Sequence, residues 1–113
     1  MSLDALLADL KKEYVAGLPA RLGEMRTHFA AQDFDQLQDA FHRLKGTGRT
    51  YGLPDISTVA ECGEVICRDH RENISKAIPL LLDLLAAIHQ SATIHVSFDL
   101  SRDPRFSDLQ KLV

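Results

Sequence analysis

Within residues 40–53, AFHRLKGTGRTYGL, one histidine stands among cations and glycines. On a helix turning about 100° per residue, Gln38, His42, Lys45, Gly46 and Arg49 fall on one face and are surface neighbours. Leu37, Phe41, Leu44, Gly48 and Tyr51 fall on another, apolar face, which must be the buried one. The spacing therefore puts the imidazole in solvent between Lys45 and Arg49. Free imidazole titrates at about 6.5, so near neutral pH an exposed ring offers a nitrogen lone pair. Phosphoryl transfer needs a nucleophile, cations for the phosphoryl oxygens and an open line of approach. His42, Lys45 and Gly46 match those three needs.

Two glycines inside a helix each cost roughly 1 kcal/mol relative to alanine, and here they have separate uses. Helical side chains lean toward the N-terminus, so a side chain at Gly46 would lie over the spot beside the ring. Gly48, on the apolar face, suits close packing against a neighbouring helix. Gly52 suits the helix end.

The elements that carry this face are helical almost throughout. Leu3, Leu6, Leu7, Leu10 and Tyr14 predict a first amphipathic helix that breaks at Gly17. Pro19 then suits the first turn of a second helix bearing Leu22, Met25 and Phe29. Asp33 with Gln36 resembles a capping box for a third, running to about Gly52. Asp55 is expected to cap a fourth, with Ile56, Val59, Ala60, Ile66 and Cys67 on its stripe. RDHREN reads as a polar loop. A last helix bearing Leu81, Leu84, Leu85 and Ile88 is expected to begin between Asn73 and Pro79. Short connections make helices antiparallel neighbours. The expected fold is all-α: an antiparallel up-down four-helix bundle over residues 1–92, with an additional N-terminal helix. Residues 93–113 form a C-terminal extension, partly irregular, in which TIHVSF has β-like composition.

HRLKGTGRTYG resembles the signature of histidine-containing phosphotransfer (HPt) domains, in which H-x-L-K-G is followed by a glycine ten residues after the histidine, here Gly52. Thr47 and Gly48 stand where members often carry serine or alanine. The resemblance covers roughly residues 3–92. It implies that His42 is phosphorylated, that Lys45 pairs with the phosphoryl oxygens and that Gly46 clears the approach. Arg49 and Gln38 are added from helix geometry alone. The implied function is a phosphorelay carrier that receives a phosphoryl group from one receiver-domain aspartate and passes it to another. It would be a stoichiometric carrier and not a turnover enzyme. The implied partners are response-regulator receiver domains and a hybrid histidine kinase; Mg²⁺ is expected in the receiver, with no cofactor here. The alternative is a structural adaptor bundle that binds receivers without transfer.

Bulk properties narrow the rest. A net charge of −3 disfavours a nucleic-acid binder. The apolar run AIPLLLDLLAAI is too short to cross a bilayer, so a cytoplasmic monomer without membrane contact is expected. His28, His70, His89 and His95 lack metal spacing with Cys62 and Cys67, and the two cysteines, five apart, are expected to stay unpaired thiols.

Overall fold

The structure, a computed structural model, describes residues 2–113. Five α-helices follow one another: α1 (Leu3–Ala30), α2 (Phe34–Thr50), α3 (Pro54–Asp69), α4 (Ile74–Thr93) and α5 (Pro104–Gln110). Among these residues there is no strand, so TIHVSF adopts neither β structure nor helix beyond Thr93.

The expected break at Gly17 does not occur, and the two predicted N-terminal helices are one. Ser2 caps it, its hydroxyl accepting from the Ala5 amide at 3.2 Å. Gly17 adds only a propensity cost, and Pro19 frees one carbonyl on an exposed side where water can satisfy it. Tyr14, Leu18, Leu22 and Met25 are buried on both sides of the pair. Packing of that stripe carries the helix through, as tertiary contacts commonly do.

The turns are set by local chemistry. At the end of α1, Gln32 takes a left-handed conformation, φ 56°, and the Asp33 amide donates to the His28 carbonyl at 2.9 Å. Asp33 then caps α2, accepting from the Gln36 amide at 3.2 Å. After α2, Gly52 has φ +82° and the Leu53 amide reaches the Gly48 carbonyl at 2.8 Å. This closure needs a residue that tolerates positive φ, which is what glycine supplies. Asp55 is not the cap of α3: the backbone turns at Leu53, Pro54 takes the first helical position, and Asp55 lies in the first turn. RDHREN is tighter than a loop, since Arg71–Asn73 form a 3₁₀ turn that leads straight into α4. Pro79 lies inside α4 on its exposed side.

Leu18 and Met25 of α1, Phe41 and Leu44 of α2, Ile56 and Ile66 of α3, and Leu81 and Leu85 of α4 meet in a single core. The C-terminal extension folds back along α3 and α4. It buries Leu100 and Leu109 and accepts a hydrogen bond from the Asn73 side-chain Nδ2 at the Leu112 carbonyl, 3.0 Å.

Candidate functional site

The site is made where α2 and α3 lie closest. A Cβ on Gly48 would fall 2.8 Å from Ser57 Oγ and 2.9 Å from the Ser57 amide nitrogen, so only glycine allows this approach. On the facing side, a Cβ on Gly63 would fall 2.8 Å from the Phe41 ring. The space so gained admits the Ser57 hydroxyl into the α2 ladder. It donates to the Lys45 carbonyl at 2.6 Å and accepts from the Arg49 amide at 2.6 Å. Ser57 is thereby satisfied although buried.

This close pairing brings Glu64 of α3 across to His42 of α2. Glu64 Oε2 lies 3.1 Å from His42 Nδ1 and 3.2 Å from Lys45 Nζ, while Oε1 lies 3.9 Å from the Arg68 guanidinium. The His42 side chain is 68% exposed and that of Glu64 only 11%. Burial pushes the Glu64 carboxyl up, but the hydrogen bonds from Lys45 and His42 and their charge outweigh it and hold the group below its ordinary value. An ionised carboxylate only accepts hydrogen bonds, so Nδ1 must be the donor. In the neutral ring the lone pair then resides on Nε2, the outward nitrogen.

Of the residues singled out from sequence, His42, Lys45, Gly46 and Arg49 are brought together. Lys45, Gly46, Arg49 and Thr50 line, with Glu61, an open groove of about 380 Å³ that His42 itself does not line and that Lys45, joined to His42 through Glu64, connects to it. A Cβ at Gly46 would meet nothing within 4 Å, so this position faces open space. Lys45 is engaged with Glu64 rather than free. Gln38 is half-buried one turn before His42 and forms no hydrogen bond with the ring. Among the described residues, no group of three or more His, Cys, Asp and Glu side chains is placed to hold a metal ion, and both cysteines are free thiols.

Glu64 was missed from sequence, although a signal was present. It falls between Ala60 and Cys67 at four- and three-residue steps, on the buried stripe of α3. A carboxylate on an apolar stripe requires a partner, and the cationic face of α2 was the available one.

A family model described as the Hpt domain matches residues 9–91. The chain belongs to the Hpt domain family. Neither the curated proteins nor the solved structures yield a match. Hpt domains act in histidine phosphotransfer within phosphorelays, as phosphocarriers that interact with receiver domains and kinases. No helix of the described residues is long and apolar enough to cross a membrane.

Proposed function

We propose that this Hpt domain accepts a phosphoryl group on Nε2 of His42 from an aspartyl phosphate of one receiver domain and delivers it to an aspartate of another. What supports this reading is a single arrangement: an exposed imidazole tied through Nδ1 to an ionised, buried carboxylate, with its other nitrogen free. In the forward step the Nε2 lone pair attacks phosphorus, an N–P bond forms, and the receiver's P–O bond breaks as the aspartate leaves with its electron pair. The ring, retaining its Nδ1 proton, becomes cationic, and Glu64 offsets that charge. The second step reverses these events with a new aspartate as nucleophile. Lys45 can turn from Glu64 to the phosphoryl oxygens, and Gly46 leaves the groove clear for the receiver. Arg49 adds positive potential at its edge, and Gln38 borders the ring's N-terminal side. We assign the Mg²⁺ of the reaction to the receiver.

The test is incubation with a phosphorylated receiver. An acid-labile, alkali-stable label should appear on the wild-type chain and be absent from His42→Gln at unchanged helical content. Label that persists in the variant would place the acceptor elsewhere.

A further inference from the structure

The two carboxylate oxygens of Glu64 are unequally served. Oε2 takes both His42 Nδ1, at 3.1 Å, and Lys45 Nζ, at 3.2 Å. Oε1 has the Arg68 guanidinium beside it, with Nη1 at 3.9 Å, beyond hydrogen-bond length. The other edge of that guanidinium is occupied, since Arg68 Nε and Nη2 both lie 3.0 Å from Asp69 Oδ2. Arg68 follows Glu64 by four residues on α3, on the same face and in the favourable order of acid before base. Its side chain is 51% exposed, so a movement of roughly 1 Å that brings Nη1 into hydrogen-bond range meets little resistance.

The role this gives Arg68 rests on His42 as the phosphoryl acceptor. Lys45 serves the phosphoryl oxygens only after it has left Glu64. Its departure takes one of two close donors from a carboxylate whose side chain is only 11% exposed. A largely buried carboxylate that loses a partner is left under-compensated. The ring does not supply the missing charge at that moment. Its positive charge grows with the N–P bond, which is little formed in a loose transition state.

We propose that Arg68 is a positioning residue that closes on Oε1 of Glu64 as Lys45 leaves Oε2, and so releases the lysine to the phosphoryl group. Arg68 acts through Glu64 and not on phosphorus. Two cations at one carboxylate repel each other, so Arg68 also loosens Lys45 before the receiver arrives. Glu64 keeps two close donors throughout, His42 and Lys45 before the exchange, His42 and Arg68 after it. No proton moves, and no covalent bond changes beyond those of the transfer itself.

Single-turnover loading from a phosphorylated receiver, followed over a range of receiver concentrations, tests the proposal. Arg68→Gln, at an exposed position, should lower the limiting rate by about two- to fivefold, the effect of a solvent-exposed ion pair. Helical content should be unchanged. Arg68→Lys, which keeps the charge, should recover most of the loss. The deciding measurement is made in a Lys45→Ala background. With no lysine to release, adding Arg68→Gln should slow loading no further. If Arg68 only attracted the receiver, its loss would raise the half-saturating receiver concentration and would do so equally without Lys45. Either result overturns the proposal. So does a limiting rate equal to wild type in an Arg68→Gln chain that still loads at His42, and this outcome leaves the phosphocarrier reading intact. A wild-type chain that takes no label on His42 overturns that reading, and the role of Arg68 with it.

Discussion

His42 Nδ1 and Lys45 Nζ converge on the same oxygen, Oε2 of Glu64, so one carboxylate fixes the ring's tautomer and restrains the lysine. Hydrogen bonds to charged groups contribute about 1.5–3 kcal/mol, equivalent to roughly ten- to hundredfold in rate. Glu64→Ala should therefore slow loading of the phosphoryl group by about that factor. Glu64→Gln should recover part of the rate, because its amide oxygen still accepts from Nδ1. Glu64 is thus a positioning residue, and equal loss in both variants would remove that role from the hydrogen bond. The same group sets a pH dependence. Its folded value lies below the ordinary 4.5, so its contribution to stability is complete above 4.5 and is lost as pH falls through the lower folded value. Denaturant titrations should show wild type losing more stability than Glu64→Gln across that acid window, and parallel curves would contradict the coupling.

Within α2, the two glycines on either side of Thr47 face opposite constraints, and their substitutions should differ in sign. Gly46→Ala adds a methyl in open space and should stabilise the fold by about 1 kcal/mol through helix propensity. Gly48→Ala places one 2.9 Å from the Ser57 backbone nitrogen and should cost about 1–3 kcal/mol by overpacking. Chemical denaturation of the two variants decides this, and a shift of the same sign in both would undo the division between access and packing. That division was legible in the sequence because both faces of α2 are strictly periodic and Asp33 marks its start. The α1 break was misread because Gly17 and Pro19 are local signals for a helix end and a helix start, whereas the buried stripe of Tyr14, Leu18, Leu22 and Met25 carries the helix across both. Ser57 and Gly63 were not legible at all. Their function lies in an approach between α2 and α3 that neither helix's own periodicity encodes.

At the scale of the whole molecule, the C-terminal extension is stability supplied from outside the segment shared with the family, which ends at residue 91. Its composition gave little indication of this, since Phe106, Leu109 and Leu112 form only two short helical steps. The structure shows how so short a helix holds. Asp103 caps α5 by accepting from the Arg105 amide at 2.9 Å and pairs with the Arg105 guanidinium at 2.7 Å. Pro104 pre-sets the first turn, and Leu109 is driven fully into the core. A seven-residue helix has no stability of its own in water, so α5 exists because α3 and α4 receive its apolar face. Leu109→Ala removes a completely buried side chain and should lower unfolding stability by about 2–4 kcal/mol. His42, Lys45 and Glu64 lie on α2 and α3 and make no hydrogen bond or ion pair with the extension. At a temperature where the variant remains folded, phosphoryl loading should therefore proceed at the wild-type rate. A loading defect in the folded variant would mean that α5 helps set the α2–α3 approach, and so that the extension shapes the site as well as stabilising the fold.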